Sequence, residues 1–142
     1  MKGIVRLDSL TIDEREIRIT FKTEGLISQA FRSHEFTVEY SEAIGSVPES
    51  IAVIPFVANV LPIIWVYDAE LVVRELDKDF FDNITNIKTG YENMYPEVAF
   101  GGQVTVGSLV RNRVRSKQRN TALFFSGGAD ATSSPITMLK NG

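Results

Sequence analysis

The residues best suited to chemistry lie near the C-terminal end, where an apolar run leads into a pair of glycines. Ala122–Phe125 contains no polar residue, as is typical of a strand buried on both faces, and it continues directly into Ser126, Gly127 and Gly128. Glycines let backbone N–H groups approach phosphate oxygens, and the start of a following helix adds positive potential. Asp130 would repel those phosphates unless a magnesium ion lay between them. The sequence therefore predicts a phosphate-binding loop that works with Mg²⁺, although a strand–turn–helix without any ligand would share the glycines.

The complete string around the glycines indicates which kind of phosphate-binding loop this is expected to be. LFFSGGADAT resembles the signature of the PP-loop (N-type) ATP pyrophosphatases, an apolar strand followed by Ser-Gly-Gly-Xaa-Asp-Ser and then Ser or Thr. Members of that family attach AMP to a substrate oxygen, release pyrophosphate, and let a nitrogen or sulfur nucleophile displace the AMP. The resemblance implies ATP and Mg²⁺ as cofactors. It assigns cofactor binding to Ser126, Gly127, Gly128, Asp130 and Thr132, with Asp130 as the magnesium ligand.

The resemblance covers about 20 residues, 120–140, and the chain departs from the family pattern within them. Ala131 stands where serine is usual, and Pro135 falls where the following helix should already have begun. The family's ATP site also uses further strands and helices to hold the adenine and the second substrate. We therefore expect an N-terminal domain at 1–111, a basic connector at 112–120 and the start of a PP-loop domain at 121–142, inactive without the rest of that domain.

Charge divides the chain in the same way. Residues 1–110 carry nine Lys or Arg against seventeen Asp or Glu, a net charge of −8, whereas five basic residues fall within 111–119. Such a block suits contact with anions, but it also suits a solvated connector. A third interpretation, contact with a nucleic acid, is less favoured because the body is acidic.

Composition excludes several other kinds of site. The absence of cysteine rules out disulfides, thiolate zinc sites and cysteine catalysis, and the single histidine, His34, leaves little for a histidine metal centre. The N-terminus shows no apolar core of signal-peptide length, and we expect a cytoplasmic protein.

Hydrophobic periodicity predicts an α+β fold, with a mixed or antiparallel sheet and two main helices. The strands are expected at Glu16–Lys22, Glu35–Tyr40, Ile63–Tyr67 and Gln103–Val110, with a further one at Ile4–Leu7, whereas Glu70–Leu76 is left open. The apolar segment Ile51–Tyr67 contains two prolines and is followed at once by acidic residues, which disfavours a membrane span. We expect a buried helix at 49–61 instead, ended by Pro62, because a residue before proline avoids the helical region.

The clearest helix is predicted at 77–94. Asp77 is its expected N-cap, and Pro96 stops it. Its apolar residues recur at intervals of three and four and so share one face: Phe80, Ile84, Ile87, Tyr91 and Met94.

Two predictions concern partners. The apolar segment Ala122–Phe125 would be covered by self-association if nothing else packs on it, which makes a homo-oligomer one expected partner state besides a bound nucleotide. The alternative to the enzyme is a non-enzymatic domain that binds a protein partner through its own surface.

Overall fold

A computed structural model describes residues 2–113 of the chain, in which strands and helices alternate. The elements, in chain order, are β1 (Ile4–Ile12), β2 (Glu16–Glu24), a 3-10 helix (Leu26–Ala30), β3 (Glu35–Glu39), α1 (Glu49–Ala52), α2 (Ile54–Val66), β4 (Glu70–Asp77), α3 (Lys78–Met94) and β5 (Gln103–Val110). The five strands form one sheet in the order β3-β2-β1-β4-β5. β1, β2 and β3 are antiparallel neighbours, whereas β4 runs parallel to both β1 and β5. The sheet is therefore mixed, and the predicted α+β class is confirmed.

The antiparallel strands follow the predicted alternation. Ile17, Ile19 and Phe21 of β2 are buried, and Arg18 between them is exposed. In β1 the alternation changes phase at a bulge between Leu7 and Ser9. The extra residue lets Leu10, beyond the bulge, lie opposite the buried Ile19, just as Leu7 lies opposite Phe21 before it. The bulge thus keeps the apolar residues of β1 on the core side of the sheet.

The core lies between this sheet and α2. Six residues of α2 are buried, among them Phe56, whose ring centroid lies 5.2 Å from that of Phe21 and 5.7 Å from that of Phe36. β4 adds Leu71, Val73 and Leu76 to the same cluster. Burial of an aliphatic or aromatic side chain contributes about 1.5–3 kcal/mol, so α2 supplies a large part of the stability of the domain.

The predicted strand Ile63–Tyr67 is wrong, and so is the predicted helix end at Leu61. α2 continues through Pro62 to Val66. Pro62 cannot donate the usual helical hydrogen bond, which costs about 3 kcal/mol in a helix interior. Beyond it, Ile64 and Trp65 are 0% and 1% exposed, and their burial offsets that cost. Within residues 2–113 no helix is both long enough and apolar enough to cross a membrane.

The segment that the sequence left open, Glu70–Leu76, belongs to β4, which lies between β1 and β5. The predicted strand Gln103–Val110 is confirmed as β5. The turns that precede β4 and β5 have positive φ angles, 46° at Asp68 and 72° at Gly102. The Asp68 carboxylate accepts a hydrogen bond from the N–H of Gly102 at 2.6 Å. This contact ties the start of β5 to the turn between α2 and β4.

The helix predicted at 77–94 is confirmed as α3, with Asp77 as its N-cap. The expected apolar face is only partly covered, because no residue of α3 is fully buried. Tyr91 packs edge-on against Trp65 at a centroid distance of 5.6 Å, whereas Ile87 and Met94 remain 38% and 62% exposed. α3 is thus an amphipathic helix lying at the margin of the core.

Candidate functional site

The predicted cofactor-binding residues, Ser126, Gly127, Gly128, Asp130 and Thr132, all lie outside the described residues, as do the apolar run Ala122–Phe125 and the connector from residue 114 onward. The structure describes the part of the chain that leads toward them. Within that part, several hydrogen-bonded polar side chains lie close together at the C-terminal ends of β4 and β5. In sheets with parallel strands, this carboxyl end of the strands is the usual place for ligands.

Three polar side chains meet at this end, and we call them the Asp77 cluster: Ser50 of α1, Asp77 at the end of β4, and Asn112 just after β5. The side-chain N–H of Asn112 donates to Asp77 Oδ2 at 2.9 Å, and a second hydrogen bond joins Asn112 Nδ2 to Ser50 Oγ at 3.0 Å. Ser50 is fully buried and Asp77 is 8% exposed. The cluster therefore connects three segments that are distant in the sequence.

Asp77 serves two elements at once. Its Oδ1 accepts the backbone N–H of Phe80 at 2.9 Å, which caps α3, while its Oδ2 accepts from Asn112. The hydrogen bond from Asn112 is the main reason that the pKa of Asp77 lies below its ordinary value; burial opposes this shift, and the backbone N–H of Phe80 assists it. The carboxylate is therefore ionised at neutral pH, and both oxygens are already engaged by the protein. This arrangement is suited to holding the end of β5 in place.

A second contact strengthens the same end of the sheet. The guanidinium of Arg74 in β4 bonds to Glu49 Oε1 of α1, with Nε and Nη2 both at 2.9 Å. β1 pairs with β4 only over Ile4–Arg6, and α1 packs beside the later part of β4. The ion pair and the Asp77 cluster together fix α1 in that position.

The sequence had indicated Asp77 only as a helix cap. Asp77 bonds to Asn112, which bonds in turn to Ser50, and no local pattern signals contacts between positions 35 and 62 residues apart. Asn112 was predicted as the first residue of a connector, but its side chain is half-buried and fixed by the cluster. The neighbouring Arg111 is exposed, so the first charge of the basic block lies in solvent at this end of β5.

No metal centre is formed by the described residues, since no group of three or more His, Asp or Glu side chains in 2–113 is placed to hold an ion. The ring of His34 instead bonds to Thr23 Oγ1 at 2.9 Å. Comparison of the chain with models of protein families, with curated proteins and with solved structures finds no match.

Proposed function

We propose that this chain is the N-terminal part of an ATP-using enzyme that adenylates its substrate and releases pyrophosphate. The observation that carries the proposal is the ordered string at 122–132, in which an apolar run, a Ser-Gly-Gly loop, an aspartate and a threonine follow one another. A glycine pair alone would not distinguish a ligand loop from a tight turn, but the whole string fits a phosphate site with a metal.

Each residue of the string has a role in this proposal. The backbone N–H groups of Gly127 and Gly128 and the hydroxyl of Ser126 bind the pyrophosphate end of ATP. Asp130 would hold Mg²⁺, and the ion would neutralise the repulsion between the carboxylate and the phosphates. Thr132 adds a hydroxyl donor. Bound ATP would supply the AMP group: a substrate oxygen would form a bond to the α-phosphorus as the bond to the leaving pyrophosphate breaks.

The charge distribution is consistent with a nucleotide-binding segment that follows a supporting N-terminal domain. With a net charge of −8 over residues 1–110, the N-terminal domain repels a nucleotide, whereas the basic block at 111–119 attracts one. The Asp77 cluster holds Asn112, so the block begins from a fixed point at the end of β5. In this proposal the N-terminal domain supports the nucleotide-binding segment and supplies no reacting group.

The proposal is tested by titration calorimetry of Mg²⁺–ATP into the whole enzyme of which this chain would be the N-terminal part. We expect binding that needs Mg²⁺, that inorganic pyrophosphate competes with, and that Asp130→Ala weakens by tenfold or more, about 1.4 kcal/mol. Glu42→Ala is the matched control, because it removes an exposed carboxylate from a loop of the N-terminal domain. Absence of binding, or binding that Asp130→Ala leaves unchanged, would contradict the assignment.

A non-enzymatic interaction domain is the second candidate, and one observation favours it. Several large apolar side chains on α3, on β5 and in the segment after α3 are substantially exposed: Ile87, Met94, Tyr95 and Leu109. Under this alternative the surface of residues 2–113 binds a protein partner whether or not Mg²⁺–ATP is present. Partner binding that is unchanged by Asp130→Ala, in a protein that binds no nucleotide, would favour it over the enzyme.

A further inference from the structure

The two edges of the sheet differ in length and in charge. The β3 edge has five residues and carries Glu35 and Glu39 at its ends. The β5 edge has eight residues, QVTVGSLV, and none of them is charged. Within residues 2–113 no strand pairs with the outer side of β5. Proteins usually protect exposed edges with charges, proline or short strands, and β5 has none of these.

Apolar side chains add to the β5 edge. Val104 and Val106 are only half-buried, and Leu109 is 41% exposed. Ile84 of α3, which lines the same surface depression as Val104, is also only half-buried. A long uncharged edge strand flanked by such residues gains both backbone hydrogen bonds and apolar burial when another strand is added to it.

We propose that the β5 edge is the interface for a second copy of this chain, with the two β5 strands pairing antiparallel about a two-fold axis perpendicular to the sheet. Such an axis brings the same patch of both copies together, as closed dimers require. The pairing would join two five-stranded sheets into one continuous sheet.

The charges at the two ends of β5 select the antiparallel direction. Arg111 follows the C-terminal end of β5 and is exposed. The N-terminal end lies beside two carboxylates, because Asp68 accepts the N–H of Gly102 and Glu70 is aligned with Gln103. Parallel pairing of two copies would bring Arg111 next to Arg111 and Asp68 next to Asp68. Antiparallel pairing instead brings each arginine next to the carboxylates of the other copy.

The geometry of the strand pair allows two central registers that make this contact. A two-fold axis perpendicular to the sheet passes midway between one residue of β5 and the same residue of the other copy, since paired residues must share one face. With the axis at Val106, Arg111 lies opposite Gly101, beside Asp68. With the axis at Gly107, Arg111 lies opposite Gln103, the neighbour of Glu70. Both registers therefore place an arginine near an acidic group at each end of the interface.

The same operation at the other edge is unfavourable. Pairing two β3 strands about Thr37 would place Glu35 of each copy opposite Glu39 of the other, and like charges directly opposite each other destabilise a strand pair. Charge thus favours β5 over β3 as the edge that binds a second copy. This inference does not depend on the ATP proposal, because it uses no residue of the glycine loop.

Sedimentation velocity of the 142-residue chain over a wide range of concentration tests the interface. We expect a reversible dimer whose dissociation constant rises about tenfold or more in Ser108→Lys, which places a charge on the exposed β5 edge of both copies. Thr37→Lys, which adds the same charge to an exposed position on β3, is the matched control and should leave the dissociation constant unchanged.

Two conservative variants test the end contacts separately from the strand pairing. Asp68→Asn keeps an acceptor for the Gly102 N–H and a residue type that tolerates positive φ, but it removes the charge. We expect Arg111→Gln to raise the dissociation constant about 2- to 30-fold in either register, because the two-fold axis makes two such pairs. Asp68→Asn should do the same in the register with the axis at Val106, where Arg111 lies beside Asp68. The double variant should cost less than the sum of the two, and added salt should weaken the wild-type dimer.

Three results would overturn the proposal. The first is a protein that is monomeric at every concentration. A monomer whose β5 amides are protected from hydrogen exchange counts here too, because another segment of the same chain would then cover the edge. The second is a dimer that responds equally to Ser108→Lys and Thr37→Lys. The third is a dimer that is insensitive both to salt and to the two end variants.

Discussion

Helices α2 and α3 pack against the same sheet, yet they bury very different amounts of apolar surface. α2 has 13 residues, six of them buried, and its sequence carries no charge. α3 has 17 residues, five of them charged, and none is fully buried. The longer helix therefore contributes less to the core, because a helix is held by the apolar face that it buries and not by its length.

The strands beside the two helices show the same contrast. The core-facing residues of the inner strands β1, β2 and β4 are almost completely buried. β5 lies at the edge of the sheet, and none of its residues is fully buried. Stability is therefore concentrated around α2, and the surface left for partners is concentrated around β5 and α3. Substitutions on the two sides should separate these roles.

Phe56→Ala should have the largest effect. Phe56 is 0% exposed and packs against the rings of Phe21 and Phe36, so its removal leaves a cavity and should lower the free energy of unfolding by about 3–5 kcal/mol. Met94→Ala on α3 is the comparison, since Met94 is 62% exposed and should change the free energy by about 0.5 kcal/mol or less. Urea denaturation measures both. Equal losses would refute the unequal packing of the two helices.

Asp77→Ala should have an intermediate effect of about 2 kcal/mol. The substitution removes the cap of α3 and also leaves the half-buried Asn112 side chain without its acceptor on β4. Asp79→Ala, in the first turn of the same helix and exposed, is the matched control and should cost about 0.3–1 kcal/mol through the helix dipole alone. A loss no greater than that of the control would show that the Asp77 cluster does not hold the end of β5.

The pH dependence of Asp77 sharpens the same test. Because the folded-state pKa is lowered from about 3.8, the stability that the ionised group provides is present above that pH and is lost as the pH falls through the folded-state pKa. The difference in unfolding free energy between the wild type and Asp77→Asn should therefore be constant near neutrality and should shrink below pH 3.8. Chemical denaturation at a series of pH values measures it, and a difference that grows on acidification would contradict the direction of the shift.

Gly90→Ala should have the smallest effect, and a favourable one. Gly90 lies inside α3, and no described atom lies within 4 Å of the position that its Cβ would occupy, so alanine should stabilise the helix by about 0.5–1 kcal/mol. Gly102→Ala is the opposite case, because its φ is positive and a Cβ would lie 2.7 Å from the carbonyl oxygen of Ile64. Thermal denaturation should raise the midpoint for Gly90→Ala and lower it for Gly102→Ala. A destabilising Gly90→Ala would show that this face of α3 is covered.

Much of the fold could be predicted from the sequence because the signals are local. The strands β2 and β3 follow from alternation, and α3 follows from apolar spacing together with the capping aspartate. The strand predicted at Ile63–Tyr67 failed for a physical reason. The local preference against helix before Pro62 was outweighed by the burial of Ile64 and Trp65, which depends on the sheet that they contact.

The two candidate sites also differ in whether they depend on a continuous stretch of sequence or on contacts between distant segments. The glycine loop at 126–132 is a continuous string and could be recognised as a pattern, while its role in binding ATP remains a proposal. The Asp77 cluster could not be predicted, because Ser50 and Asn112 meet only after α1 packs beside β4 and the strand β5 is added.

By itself, the sequence determined the α+β class, the acidic character of residues 1–110, the basic block that follows them and the capped amphipathic helix α3. These properties depend on composition, on spacing and on contacts within a few residues. Only the tertiary structure decided the order of the strands, the continuation of α2 through Pro62, the joining of Ser50, Asp77 and Asn112, and the position of uncharged β5 at an edge of the sheet. Those features depend on which distant segments bury one another, and the energy of that burial is large enough to override local preference.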